Sequence, residues 1–175
     1  MSLIQIVTMI TGIIITPFAL ATPPVEVFSS CKNLAPVNSS ITMTKLFAPS
    51  GLDDNGPKCM DHFESTRNNF NYGYITCNDE TDLIVKGSRI NLKTAVNHSI
   101  NPSIIPGGDI SVLSYWWKIE FKNISYLCID TPLSSSGDGA NIFQYYIVEN
   151  AFNLDKPVIH FYFLNKEVMP VTSMD

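Results

Sequence analysis

Two runs of β-branched and aromatic residues, Ile142 to Val148 and Val158 to Leu164, most constrain what this chain can fold into. Such residues pack well on a pleated, half-buried surface, and a polar connection holding Asn150, Asn153 and Asp155 lies between them. They predict a pair of antiparallel strands. The approach Gly137-Asp-Gly139 has the backbone freedom for a tight turn or for close contact with a ligand. A sheet centred on residues 135–164 is therefore the first expectation.

The other end reads differently. Residues 1–21 hold an apolar run from Ile10 to Ile15, broken by Thr11 and Gly12, and close on Ala19-Leu-Ala21. That length and small-residue ending predict a secretory signal peptide cleaved after Ala21, although its start lacks a positive charge. The alternative, a membrane anchor, is disfavoured because the run falls short of the ~20 apolar residues of a spanning helix and contains Pro17. The chain after Ala21 is expected to be secreted, extracellular and monomeric, with no membrane partner. It carries all 11 Lys and Arg residues, so the net charge of −5 belongs to it. An acidic balance without a cationic run argues against broad, charge-driven binding to nucleic acid or membrane, and leaves a local basic patch open.

Four cysteines, Cys31, Cys59, Cys77 and Cys128, predict two disulfides in a secreted chain. Three pairings are possible. Cys31 with Cys59 and Cys77 with Cys128 is the expected one, because the first bond would close the irregular amino-terminal region on itself. No Cys-x-x-Cys spacing occurs and His62, His98 and His160 are far apart, so no metal site is expected. Sequons at Asn38, Asn97 and Asn123 mark candidate glycosylation sites at the surface, whereas Asn101-Pro-Ser is blocked by its proline.

Residues 22–70 are rich in Pro and in turn residues and read as a loop-rich extension pinned by a disulfide, with one short strand at Ser40 to Phe47. From residue 71 to 175 the texture becomes that of a compact domain. Tyr72 to Cys77 is β-prone, and Leu83 to Val85 reads either as a second strand or as the approach to a helix. Ser88 is a candidate N-cap for a helix over Arg89 to Asn97, with Ile90, Leu92, Ala95 and Val96 on its apolar face. Ile110 to Phe121 and Ser125 to Ile129 read as two more strands. The predicted class is α+β, one principal helix packed on an antiparallel sheet.

No Gly-x-Ser-x-Gly elbow, phosphate-binding glycine loop or His-Glu-x-x-His helix is present, and no cofactor is expected. The histidines are the simplest candidates for proton transfer near neutral pH. His160, between Ile159 and Phe161, faces opposite to both on a period of two, which suits a solvent-facing or hydrogen-bonded residue better than a catalyst. The carboxylate pairs Asp53/Asp54 and Asp79/Glu80 lie in turn-like clusters and read as solvated loop residues.

The order Tyr74-x-x-Cys77, helix, Tyr115-Trp-Trp-Lys-Ile119, Gly137-Asp-Gly-Ala-Asn141, Tyr145-Tyr-Ile-Val-Glu-Asn150 and Val158-Ile-His160 resembles the ribonuclease-like secreted effectors of powdery-mildew fungi. Those proteins are similar in fold to guanyl-specific fungal ribonucleases, and the resemblance spans roughly residues 72–164. It implies a ribonuclease-like frame with His160 at the position of the last catalytic His and His98 loosely at that of the first. Trp116 stands where the base Glu would be, Lys118 where a proline would be, and Ile142 or Phe143 where the phosphate-binding Arg would be. The resemblance thus implies a scaffold without its catalytic set, a non-catalytic effector that binds a host protein or RNA, with Tyr115, Trp116, Tyr146 and His160 as binding residues. It also makes a Cys77–Cys128 bond a relocated form of the family's own.

Two other readings stay open. One is a residual ribonuclease using His98 and His160. The other is an unrelated secreted β-rich binding module directed at a host ligand, which a two-sheet sandwich without a helix after residue 88 would favour.

Overall fold

The computed structural model describes residues 22–52, 59–108, 110–153 and 155–166, so the segment expected to be a signal peptide and the Asp53/Asp54 pair lie outside the described residues. The turns punctuate the chain first. Asn68-Asn69, Asn78-Asp79, Lys86-Gly87 and Lys122-Asn123 each have positive φ at both positions. This is the backbone of the two-residue hairpin turn whose twist matches its strands. Around them form β3 (Cys59–Arg67), β4 (Phe70–Cys77), β5 (Glu80–Val85), β6 (Ser88–Asn91), β8 (Tyr115–Phe121) and β9 (Ile124–Pro132). The remaining strands are β1 (Ile41–Lys45), β2 (Ser50–Gly51), β7 (Val96–Asn97), β10 (Phe143–Glu149) and β11 (Val158–Phe163).

They make two sheets, one of six strands in the order β1-β8-β9-β10-β11-β7 and one of five in the order β2-β3-β4-β5-β6. All neighbours are antiparallel except β7, which runs parallel to β11 at the sheet edge. Trp116, Leu127, Ile129, Tyr146, Val148, Phe161 and Phe163 of the large sheet pack on Tyr72, Tyr74, Leu83 and Val85 of the small one. The single α-helix among the described residues, α1 (Val25–Asn33), covers the other face of the large sheet. There Val27, Phe28 and Cys31 meet Ile119, Tyr126, Tyr145, Ile147 and Tyr162. The fold is a mostly β, two-sheet structure with one helix outside it.

This corrects the expected α+β, ribonuclease-like class of one helix packed on a sheet. Residues 88–97 are not helical: Lys86-Gly87 turns the chain, Ser88 pairs with Val85 rather than capping a helix, and Leu92–Thr94 makes one 3-10 turn before β7. The apolar face assigned to a helix is a strand followed by a turn, with Leu92 in the inter-sheet core. Residues 22–70 are likewise part of the framework, since β1 pairs with β8 and β3 with β4.

Two disulfides form, as four cysteines imply, but the pairing differs from the expected one. Cys31 bonds Cys128, tying α1 to the middle of β9, and Cys59 bonds Cys77 across β3 and β4, where the register sets them opposite each other. The expected bond closing the amino-terminal region on itself does not form, because the β3–β4 register sets Cys59 opposite Cys77. Two disulfides are consistent with an extracellular protein. No helix among the described residues is long and apolar enough to cross a membrane.

Candidate functional site

The two histidines singled out in the sequence come together. His98 follows β7, and its N–H donates to the Phe161 carbonyl at 2.8 Å, extending the pairing with β11. His160 points to the helix-covered face, away from Ile159 and Phe161. Nε2 of His98 and Nδ1 of His160 share a hydrogen bond of 3.0 Å, with ring centroids 5.2 Å apart. Tyr162 stacks on His98 at 4.8 Å and Phe28 of α1 stacks on Tyr162 at 4.2 Å, so four rings form a column. The far nitrogen of His160 lies 3.8 Å from Glu149 Oε2.

Burial disfavours charge on both imidazoles. It holds His98 below its ordinary value, and together with the neighbouring His98 it pushes His160 down to about 4. At neutral pH the pair is uncharged and shares one N–H between a donor and an acceptor nitrogen. Such a pair can pass a proton, but His160 is only 1% exposed and neither ring lines the clefts described below. A substrate would have no access to the inner imidazole.

Asp130 occupies the same face. The register sets Tyr115, Asp130, Tyr145 and Tyr162 in one row across β8, β9, β10 and β11. Asp130 is 4% exposed, and burial raises its carboxyl to about 7. Its Oδ1 has no hydrogen-bond partner, and its charge together with burial pushes the Tyr145 phenol up to about 12. Periodicity could not find this residue, because an Asp amid Leu127, Cys128 and Ile129 is visible in sequence only as a polar interruption of a strand.

The open site lies at the end of the sheet, where the chain passes from β1 to β2. Leu46 N–H donates to the Trp116 carbonyl at 2.9 Å, after which the crossover is held by the small sheet. Tyr72 donates its hydroxyl to the Phe47 carbonyl at 2.8 Å, and Arg67 donates to the Lys45 carbonyl at 2.5 Å. With its carbonyls engaged inward, the crossover turns the Phe47 ring out, 72% exposed. The facing wall is the turn from Ser111 to Ser114, braced by bonds from Ser111 N–H and the Ser114 hydroxyl to Thr131 Oγ1 at 2.9 and 2.8 Å. That turn presents Val112 and Leu113, both more than half exposed.

Between the walls is a cleft of about 750 Å³ lined by Leu46, Phe47, Val112, Leu113 and Tyr115, with Lys45 and Arg67 at its margin. This volume falls in the range of ligand-binding clefts. Lys45 Nζ stands 5.9 Å from the Tyr115 ring centre and the Arg67 guanidinium 5.5 Å from that of Phe47, within cation–π range. Among the described residues no carboxylate lines the cleft.

Of the aromatic residues expected to bind, Tyr115 alone opens to the cleft with a large exposed surface, 42%. Trp116 and Tyr146 fill the space between the sheets, so neither offers a face on which a base could stack. His160 is interior. His62, on β3, places Nε2 3.0 Å from Glu64 Oε2, away from the other histidines. Among the described residues no three His, Cys, Asp or Glu side chains come together as metal ligands do.

The sequons differ in setting. Asn38 and Asn123 are exposed, whereas Asn97 is half-buried and donates its amide N–H to the Ile104 carbonyl. Phe47, Val112 and Leu113 were missed, and an isolated apolar residue in a loop carries no periodic signal that separates surface from core.

No protein-family model, no curated protein and no solved structure matches this chain.

Proposed function

We propose that this chain is a secreted, non-catalytic binding module that recognises a host protein through the cleft between Phe47 and Leu113. One observation carries the reading: an apolar cleft whose two walls are each fixed by hydrogen bonds to the sheets yet expose large side chains to solvent. Contiguous exposed apolar surface rimmed by charge marks interaction sites, and a braced wall loses little entropy on binding. The two-sheet arrangement without a helix after residue 88 supports the β-rich binding module over the ribonuclease-like scaffold. Secretion rests on the apolar segment ending at Ala21 together with the two disulfides.

RNA is the weaker ligand. Of the expected stacking residues on the cleft lining, Tyr115 is 42% exposed and Trp116 only 1%, and the Ser114 hydroxyl is committed to Thr131. Beyond the Tyr115 hydroxyl and the two cations, the lining offers little to hydrogen-bond base edges.

The test is selection of peptides from an unbiased displayed library on the wild-type protein, followed by binding measurements on Leu113→Asp. Leu113 is exposed, so this variant should keep its fold and thermal midpoint. Binders that lose at least tenfold in affinity for the variant support the reading. Binders indifferent to the substitution sink it.

The His98–His160 contact favours one second reading, a hydrolase that uses the imidazole pair. It requires RNA cleavage by the purified protein that disappears in His160→Ala. With the inner ring sealed, equal RNA stability with both proteins is expected.

A further inference from the structure

A second cleft, of about 450 Å³, adjoins the first and shares Leu46 and Arg67 with it. It is lined by Phe70, Lys86, Lys118 and Phe152, with the Asn68-Asn69 hairpin tip at its rim. Three elements distant in sequence place its cations side by side: Arg67 ends β3, Lys86 sits in the turn between β5 and β6, and Lys118 lies on β8. Again, among the described residues no carboxylate lines it.

Across the two clefts, four of the chain's 11 basic residues meet no lining acid, although the chain as a whole is acidic by five charges. Three of the four have internal commitments, one being the bond from Arg67 to the Lys45 carbonyl. Lys118 pairs with Glu120 at 2.6 Å and stands over the Phe152 ring, and Lys86 donates to the Asn153 carbonyl. Among the described residues, Glu120 is the one carboxylate bonded to any of these cations.

Resting on the binding reading above, we infer that the partner's docked segment is an acidic peptide, with an apolar side chain anchored between Phe47 and Leu113 and carboxylates running past Arg67 to Lys86 and Lys118. Charge complementarity selects it. The first cleft is apolar with cations only at its margin, which suits an aliphatic or aromatic anchor. The second is cationic and amide-lined, which suits carboxylates. Arg67 belongs to both, so a continuous segment passes from one chemistry to the other. An overall acidic protein repels acidic partners elsewhere on its surface, which confines attraction to this strip and steers approach toward it.

The same selection provides the test. Sequences recovered from the unbiased library on wild-type protein, and dependent on Leu113, are expected to be enriched in Asp and Glu on one side of the apolar anchor. A synthetic peptide of the strongest such sequence, followed by fluorescence polarisation, should lose roughly two- to tenfold in affinity for Lys86→Gln and again for Lys118→Gln. It should also weaken as salt rises from 50 to 500 mM. The same peptide with its carboxylates replaced by amides should lose affinity for wild type and show no difference among the variants.

Binders that depend on Leu113 but carry no acidic excess, or that ignore both lysine substitutions, overturn this inference and leave the groove reading intact. The absence of any Leu113-dependent binder overturns both. Tight binding of single-stranded oligouridine, lost in the same lysine variants, reassigns the strip to nucleic acid and also overturns the acidic-peptide inference.

Discussion

Replacing Asp130 with Asn should stabilise the protein near neutral pH and expose an acid sensitivity that the wild type conceals. Asp130 has a folded-state value of about 7 against 3.8 in the unfolded chain, caused by burial. Below 3.8 both states hold the proton. As pH rises toward 7 the unfolded state releases it and the folded state does not, so stability is lost. Three pKa units at about 1.36 kcal/mol each make the loss roughly 4 kcal/mol by pH 7. That is a large part of the ~5 to 15 kcal/mol typical of a domain.

His160 has the opposite linkage. Its value falls from 6.5 unfolded to about 4 folded, so the stability it contributes is present above 6.5 and lost as pH falls through 4, by roughly 3 kcal/mol. Burial lowers His98 as well and adds in the same direction. Between pH 4 and 6.5 the Asp130 and His160 slopes oppose each other and the wild-type profile should be nearly flat.

In Asp130→Asn, where no carboxyl titrates at this position, urea unfolding should give a protein roughly 4 kcal/mol more stable than wild type at pH 7.5 and close to it at pH 4. The variant's own stability should fall by roughly 3 kcal/mol from pH 7 to pH 4. A variant no more stable than wild type at pH 7.5, or with an equally flat profile, would refute this account of the buried row.

The glycine opposite Glu64 and the two disulfides yield further tests. A Cβ on Gly73 would lie 2.0 Å from the Phe63 carbonyl oxygen and 2.8 Å from the Glu64 Cα. Gly73→Ala should therefore cost at least the ~1 to 3 kcal/mol of an overpacked site, measured by urea unfolding, and a neutral result would mean that β3 and β4 separate freely. Removing Cys31–Cys128, which closes a span of 97 residues, should cost about 4.7 kcal/mol in the chain-entropy model, against about 3 for the 18-residue span of Cys59–Cys77. Paired Ser substitutions read by urea midpoints test the order, and equal losses would contradict it.

Much of the strand inventory was legible because it rests on local chemistry. Tyr72 to Cys77, Ile142 to Val148 and Val158 to Leu164 became strands, the short strand expected at Ser40 to Phe47 became β1, and Leu83 to Val85, open between strand and helix approach, became part of β5. The helix at residues 89–97 failed because Ile90, Leu92, Ala95 and Val96 fit a helical face as well as a strand and turn. The deciding signal was Lys86-Gly87, a two-residue turn that commits Ser88 to pair with Val85. The real helix, α1, was overlooked behind Pro23 and Pro24, although proline just before a first turn is compatible with helix initiation. In the site, the histidines were visible as residues, but their contact across a sequence separation of 62 requires the short parallel pairing of β7 with β11.

By itself the sequence determined the most β-rich extended segments, such as those at 72–77, 142–148 and 158–164, and the presence of two disulfides. Each depends on backbone conformation or on composition within a few residues. The tertiary structure alone decided which sheet each strand joined, which cysteine met which, which of Tyr115 and Trp116 faced solvent, and that four cations from distant elements share one surface. Those outcomes follow from burying the large sheet on both faces. When helix and second sheet each cover a side, neighbouring residues on one strand are both core, and period two no longer distinguishes interior from surface.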